Sequence, residues 1–321
     1  MHVAITGAGG FVGRNLSVHL LGRQVTVTGL HRGSTSLPTG VRPLVLGAYT
    51  DVKASQVALR GVDAVIHLAA IAHDPDTTRA SDAAHLFDLA NHQSAVAMAQ
   101  AARLANVRTF VLVSSIGVHG ARTSGRPFTE NDAPAAVELY AASKLAAELS
   151  VSAELAGSNT AHVIIRPPLV YGPQCPGNFA RLARMVTRLP LLPLGDLRAA
   201  RSFIGIDNLC AALWMATTHP GCRNGTFVVA DEQTTSVAEV VRIMLRASGR
   251  GPWRSLPVPC SSLSALARLT GKGGEFAKLA SELVVDPSLF CRTTGWRAPL
   301  SARAGIEAAA MSLLAPYTLQ G

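Results

Sequence analysis

Charge is scarce in this sequence. Of its 321 residues only 15% are Asp, Glu, Lys or Arg, against about 25% in a typical soluble domain. With 48% hydrophobic residues, that scarcity excludes a disordered chain and leaves ample material for a large core. Aromatic residues are also few, at 5%, a poor supply for stacking on bases. The net charge of +9 invites a polyanionic partner, but no Lys/Arg run and no basic tail carry it. Residues 1–195 hold 16 basic and 11 acidic residues, and residues 196–321 hold 13 and 9, so the excess is spread evenly. These absences argue against a nucleic-acid partner. A small anionic substrate, such as a nucleotide diphosphate, suits the same balance. The five cysteines (Cys175, Cys210, Cys222, Cys260 and Cys291) are odd in number and form no C-x-x-C pair. Reduced cytoplasmic thiols are therefore expected, with neither a disulfide framework nor a metal site. No stretch approaches the ~18 uninterrupted apolar residues of a membrane span. The apolar run near Val163 is broken by Arg166, Pro167 and Pro168. Residues Met1 to Gly7 lack a basic region and a long apolar core, and read as a strand and not a signal peptide. No internal repeat is found.

What is present is alternation. Short β-branched runs at Val3–Thr6, Val25–Thr28, Leu44–Leu46, Ala64–Leu68, Phe110–Ser114 and His162–Arg166 are separated by longer helical patterns. The clearest helices are Phe11–Leu21, Ala83–Leu104 and Leu139–Leu155. Apolar strands separated by helices predict an α/β fold, a Rossmann-type doubly wound parallel sheet. A cluster of prolines from Pro167 to Pro193 marks a change of texture. We expect a dinucleotide-binding domain over 1–166 and a smaller C-terminal substrate domain over 167–321. Helices are expected at Phe179–Arg188, from about Asp207 to Thr217, from a capping box at Ser236 to about Ala247, and at Ala302–Leu314 after Ser301. The strand Thr226–Val229 is expected to return to the first domain's sheet.

The sharpest local signal is Thr6-Gly7-Ala8-Gly9-Gly10-Phe11-Val12-Gly13, after a strand and opening a helix. Gly7 permits a tight turn, Gly10 lets the backbone approach a pyrophosphate, and Gly13 lets helix and strand pack closely. The helix N-terminus offers N–H groups and a positive dipole to phosphates. A second constellation is Tyr140-Ala141-Ala142-Ser143-Lys144, whose i,i+4 spacing sets phenol and ammonium on one helix face. Attraction between them is expected to lower the phenol's pKa, so that it exchanges a proton near neutral pH. A third piece is Ser114-Ser115 at the end of a predicted strand, where the ligand crevice of a doubly wound sheet lies. Ser115 there can hydrogen-bond a reacting oxygen. Taken singly, the three read equally as a glycine turn, an exposed Tyr–Lys pair and a strand-end cap.

Together these pieces resemble the extended short-chain dehydrogenase/reductases, the nucleotide-sugar epimerase/dehydratase group. The resemblance spans nearly the whole chain. It includes Leu68-Ala69-Ala70, Asn91, Val113 to Gly120, the Arg166 to Pro173 stretch with Gly177-Asn178-Phe179, Arg201 to Asp207, and Gly295-Trp296-Arg297. The proline-rich stretch is most similar to the bacterial surface-polysaccharide subgroup. The resemblance implies that Tyr140 is the acid/base, and that Lys144 holds the nicotinamide ribose and lowers the Tyr140 pKa. Ser115, four before His119 where the family usually has Tyr, is implied as the catalytic hydroxyl. It implies cofactor contacts from Gly7, Gly10, Phe11, Val12, Gly13, Leu68, Ala69, Ala70, Lys144 and Pro167, and UDP contacts from Asn178 and Arg201; Arg32 is a further expected cofactor contact, to a 2′-phosphate, where the sequence departs from the family. The implied reaction is reduction at C4 of a UDP-4-keto-6-deoxy-N-acetylhexosamine. The alternatives are 4-epimerisation of UDP-glucose or UDP-N-acetylglucosamine, or a non-catalytic dinucleotide-binding module. A cytoplasmic homodimer through helices 83–104 and 139–155 is expected.

The sequence departs from that pattern in places. An acidic residue normally meets the adenosine ribose of NAD at the end of the second strand. Here Gly29 stands where the acid is expected and Arg32 follows, which predicts NADP(H) over NAD(H). Leu46-Gly47-Ala48 supplies no Asp near the adenine. Leu169 stands where epimerases often place Asn on the diphosphate. Arg181, Arg184 and Arg188 read as a solvated helix face. His67 and His73 lack metal-ligand spacing, and Asp74, Asp76 and Asp82 read as loop residues.

Overall fold

The structure, a computed structural model, describes residues 1–33, 36–72 and 81–314. His73, Asp74 and Asp76 lie outside the described residues. Among those described, seven parallel strands form one sheet in the order β3-β2-β1-β4-β5-β6-β9. They are β1 (His2–Thr6), β2 (Thr26–His31), β3 (Arg42–Val45), β4 (Ala64–His67), β5 (Thr109–Val113), β6 (Ala161–Arg166) and β9 (Gly225–Val228). Successive side chains of a strand point to opposite faces, and both faces are packed. Val3 and Ile5 join one core cluster with Leu16, Leu20, Leu209 and Leu213 of α1 (Phe11–Leu21) and the helix Ile206–Thr218. Ala4 joins the opposite cluster with Met98 and Val151 of the helices Ser94–Leu104 and Leu139–Leu155. This is a doubly wound, Rossmann-type α/β fold.

The expected return of the strand near 226 is observed. β9 pairs in parallel with β6, with Ile165 opposite Phe227. Two short strands, β7 (Leu169–Tyr171) and β8 (Phe203–Gly205), form a separate parallel pair that the sequence reading did not anticipate. Three residues are too few to show a period. The helix α2 (Val52–Ala58), whose N-cap Asp51 accepts from the Ala54 N–H at 3.0 Å, was also not anticipated. The long helix expected over 83–104 is α3 (Ala83–Phe87) and α4 (Ser94–Leu104), joined by a π-helical turn at Asp88–Gln93. α5 follows at Leu139–Leu155. The predicted Ser236 cap is present, its hydroxyl accepting from the Glu239 N–H at 3.2 Å.

A third core cluster gathers Tyr171, Phe179, Val241 and Ile306 around β7 and β8. It lies under α6 (Asn178–Arg188), α8 (Val237–Ala247) and the helix Ala302–Leu314, with a helical hairpin, α9 (Cys260–Leu269) and α10 (Gly273–Ala280), at its edge, whereas α7 (Ile206–Thr218) belongs to the first cluster. The segment after α10 straps this part to the loop that leads into α5. Thr123 N–H donates to the Glu282 carbonyl at 2.9 Å, Phe128 N–H to Val284 at 2.9 Å, and Ser202 N–H to Leu283 at 2.8 Å. No described helix is long and apolar enough to cross a membrane.

Candidate active site

The strand order reverses between β1 and β4, so the loops after their C-terminal ends diverge and open a crevice. The glycine turn follows β1 there. Gly7 has φ 68°, and a Cβ on it would sit 3.0 Å from the Ala69 nitrogen. A Cβ on Gly13 would sit 2.3 Å from the Gly7 carbonyl oxygen and 2.7 Å from Ala8 Cα. Only glycine lets the first turn of α1 lie against β1 so closely. The N-terminus of α1, at Phe11 and Val12, has no side-chain cap and no acidic residue in its first turn. Uncapped N–H groups beside a glycine turn suit a pyrophosphate, so these residues fit a dinucleotide. Phe11's ring packs beneath Gly172, tying the turn to the loop after β7.

Thr6 fastens the two walls at the switch point. Its Oγ1 accepts from the Leu68 and Ala69 N–H groups, both at 3.1 Å, which leaves its own proton for His67 Nδ1 at 3.0 Å. His67 is fully buried, and burial reinforced by Lys144 holds its pKa at about 3, so it is a neutral structural group. Tyr49 is a member of this wall that sequence reasoning missed. Its hydroxyl donates to the Leu30 carbonyl at 2.8 Å and accepts from the Gly7 N–H at 3.3 Å, and Arg32 lies 5.8 Å above its ring. An aromatic residue just after the third strand was the only signal for it.

The structure relocates the missing acid. Gly29 pairs with Ile5 in mid-sheet, and a Cβ there would run into Leu37, Ala8 and Val41. That space is core, so no carboxylate belongs in it. The strand continues to His31, level with the glycine turn, and His31 is the residue at the crevice end. Arg32 follows it and is exposed.

The loops after β4, β5 and β6 meet behind α5. Asn91, turned inward by the π-helical turn and fully buried, accepts from the Ile71 N–H at 2.7 Å and donates to the Ile71 carbonyl at 2.9 Å. Its amide also donates to Ser143 Oγ at 3.0 Å, between Tyr140 and Lys144 on α5. Ile116 N–H donates to the Pro167 carbonyl at 2.9 Å, closing the gap between the loops after β5 and β6. Ala70 is exposed at the crevice edge, whereas Ala69 is buried.

Ser115 and Tyr140 come together as expected. Their side chains hydrogen-bond, and Ser115 Oγ also accepts from the Gly117 N–H at 3.1 Å. Lys144, one turn further along α5, is buried. The expected lowering of the phenol is not observed. Burial pushes the Tyr140 pKa up to about 12, and the Ser115 hydrogen bond opposes this only in part. Burial also brings Lys144 down to about 8, with Glu148 acting against it. Desolvation therefore dominates at both groups, over the Ser115 hydrogen bond at Tyr140 and over the Glu148 charge at Lys144, and Tyr140 rests as a protonated phenol.

The two expected UDP contacts lie on the C-terminal part, apart from this trio. Asn178 is exposed at the first residue of α6, after Gly177 with φ 76°. Arg201 is half-buried, and its Nη1 donates to the carbonyls of Lys278 and Ser281, both at 2.7 Å. It thus caps the C-terminal end of α10. Its Nε and Nη2 make no hydrogen bond with described residues.

Known proteins share this fold. The model of the NAD dependent epimerase/dehydratase family matches residues 3–230. A curated relative, UDP-glucose 4-epimerase of Vibrio cholerae, is 33% identical over 318 residues, covering 97% of this chain and 95% of its own. Among solved structures, UDP-glucose 4-epimerase of Thermotoga maritima with UDP-glucose has a TM-score of 0.78 at 17% identity, covering 97% of this chain and 98% of that one. WbmG of Bordetella bronchiseptica in complex with NAD and UDP has a TM-score of 0.77 at 20% identity, covering 97% and 96%. With the glycine turn, the Ser115–Tyr140 pair and the buried Lys144 in one crevice, the match over most of its length leads to one assignment: the chain belongs to the NAD dependent epimerase/dehydratase family.

Proposed function

We propose that this protein is a nicotinamide-dependent oxidoreductase acting at C4 of a UDP-hexose. The observation that carries the reading is the Ser115–Tyr140 hydrogen bond at the switch-point crevice, with Lys144 buried one turn below. The chemistry supplied by a bound nicotinamide is acceptance and return of hydride at C4. Tyr140 moves the proton of the 4-hydroxyl, and Ser115 holds that oxygen in line with the phenol. A phenol protonated at rest is ready to donate when a 4-keto group is reduced. Lys144 binds the nicotinamide ribose. Gly7, Gly10 and the Phe11–Gly13 N–H groups would hold the phosphates of the dinucleotide, and Leu68, Ala69, Ala70 and Pro167 would border its nicotinamide.

Between the two reactions at C4, the full-length Vibrio cholerae relative favours 4-epimerisation. Leu169, which offers no amide to a diphosphate, favours the 4-reductase as the second reading. The absence of a carboxylate at the end of β2, with Arg32 beside it, favours NADP(H). The division into a cofactor part, 1–166 with β9, and a UDP-sugar part, 167–321, follows from the same reading, with Asn178 and the free nitrogens of Arg201 on the nucleotide. Exposed Leu139 and Leu149 on α5, with Leu89 in the π-helical turn and Leu104 at the end of α4, favour a homodimer through these helices. Five free thiols suit a cytoplasmic location.

The experiment is a substrate panel. The protein is incubated with UDP-glucose, UDP-N-acetylglucosamine, and a UDP-4-keto-6-deoxy-N-acetylhexosamine plus NADPH or NADH. Interconversion of C4 epimers without net cofactor change supports the epimerase, and stoichiometric NADPH loss with the keto sugar supports the reductase. No reaction with any of them refutes the UDP-hexose reading.

A further inference from the structure

A buried charge cluster lies behind the trio, and the proposed chemistry does not use it. α5 carries Lys144 and, one turn further, Glu148 on the same face, and they are only 1% and 2% exposed. Arg166, the last residue of β6, grips the Glu148 carboxylate. Its Nε donates to Oε1 at 3.0 Å and to Oε2 at 3.2 Å, and its Nη2 donates to Oε2 at 2.5 Å. Arg166 Nη1 donates to His119 Nε2 at 2.9 Å and reaches the Glu130 carbonyl at 3.4 Å. To accept that bond His119 must be neutral, with its proton on Nδ1. Burial and the neighbouring Arg166 hold its pKa below the usual range.

The cluster therefore places two buried cations near one carboxylate, Arg166 in a direct ion pair with it and Lys144 one turn back on the same helix face. A buried ammonium is costly without an opposing charge. Among the described residues, Tyr140 and Glu148 neighbour Lys144 by helix spacing, and His67 and Glu148 by electrostatic coupling to it. Tyr140 stands one turn back on α5 and is uncharged at neutral pH. His67 of β4 is neutral. Glu148 alone among them is negative, and it is placed by Arg166 on β6, which His119 orients in turn.

We propose that Glu148 is a positioning residue that keeps Lys144 an ammonium at neutral pH, with Arg166 and His119 fixing the carboxylate. This rests on the reading of Lys144 as the ribose-binding cation, but it concerns the charge of Lys144 whatever the sugar. It adds a functional residue one helical turn beyond the Tyr140/Lys144 pair. It also gives His119, which departs from the family's Tyr, a part as acceptor in the same network.

The chain has only four lysines (Lys53, Lys144, Lys272 and Lys278), so Lys144 can be titrated directly. Protein labelled with 13C at the lysine Cε is followed by NMR against pH, and the Lys144 resonance is assigned by its loss in Lys144→Met. In Glu148→Gln the Lys144 midpoint falls by about one unit or more, and Glu148→Asp restores most of it. Glu148→Gln leaves Arg166 buried without its partner and can compromise folding. The double variant Glu148→Gln/Arg166→Met removes both charges, and its midpoint lies between those of the single variant and the wild type. A purely structural role for the ion pair predicts no such order. An unchanged Lys144 midpoint in the double variant overturns the inference. Turnover of the UDP-hexose panel by the wild type is scored separately. Its absence refutes the proposed function while the NMR result still decides the role of Glu148.

Discussion

Asn91 offers the most direct test of how the site is braced. It is fully buried, and its amide satisfies both backbone groups of Ile71, at 2.7 and 2.9 Å, while reaching Ser143 at 3.0 Å. Asn91→Ala removes all three bonds and leaves a small cavity. Ile71 is only half-buried, so water can recover part of the loss at its carbonyl. Allowing about 1 kcal/mol for each orphaned Ile71 group and about 1 kcal/mol for the cavity gives about 3 kcal/mol of destabilisation. For a chain of this size, at about 2 °C per kcal/mol, Tm falls by about 6 °C. Asn91→Asp keeps the acceptor for the Ile71 N–H but loses both donated bonds, so it does not rescue. Differential scanning calorimetry measures the fall. Hydrogen exchange locates it: protection of the Ile71 amide drops first, because its acceptor has gone. A Tm within 1 °C of wild type, with Ile71 still protected, refutes the bracing argument.

Other outcomes follow from the same contacts. Gly13→Ala places a Cβ 2.3 Å from a backbone oxygen that cannot rotate away; it should cost about 1–3 kcal/mol in stability and weaken dinucleotide binding in a fluorescence titration. Arg166→Met leaves the Glu148 carboxylate buried without its partner and should cost about 3–5 kcal/mol by urea denaturation, whereas Glu148→Gln/Arg166→Met recovers most of that loss. Lys144 loses its proton near pH 8 when folded but near 10.5 when unfolded, so above pH 8 the unfolded chain holds the extra proton. Its contribution to stability therefore rises between those values, and urea midpoints at pH 7.5 and 9.5 should increase in wild type relative to Lys144→Met. Arg32→Ala should weaken NADPH binding by about tenfold or more and leave NADH unchanged; an equal loss for both contradicts the 2′-phosphate assignment.

The parts legible in the sequence were those with strong local signals. The six strands of the first half, the glycine turn and helices α1 and α5 lie within a residue or two of their expected places, except that β2 runs three residues further, to His31. Apart from the largely exposed edge strand β3, the apolar runs of these strands are buried on both faces and need no long-range information. The return of the strand near 226 was also readable, because it is apolar and isolated among polar segments. β7 and β8 were not, since three-residue strands carry no period. The π-helical turn at Asp88–Gln93 was hidden inside an ordinary helical pattern. Only its consequence, a buried Asn91 holding Ile71, reveals it.

At the site, residue types were easier to read than environments. Tyr140 and Ser115, both implied by the resemblance, meet in the crevice, but the direction of the Tyr140 pKa depends on burial that a sequence does not display. The position assigned to the missing acid, Gly29, is filled by Leu37 and Val41 from beyond the strand, a tertiary fact. Arg201 was recognised as a cation near a strand, yet its partners are carbonyls about eighty residues away. Tyr49 and the Glu148–Arg166–His119 cluster went unread because each depends on contacts between separate elements.

The central claim is that Tyr140 transfers the proton at C4 of a UDP-hexose while hydride moves at the same carbon. The measurement that tests it most directly compares wild type and Tyr140→Phe on UDP-glucose, UDP-N-acetylglucosamine and the 4-keto sugar with NADPH, with C4 products separated by anion exchange. The account predicts turnover of at least one substrate by wild type. It also predicts a loss of about 10²–10⁴-fold in Tyr140→Phe, with dinucleotide binding retained. Turnover that survives unchanged in Tyr140→Phe would contradict it.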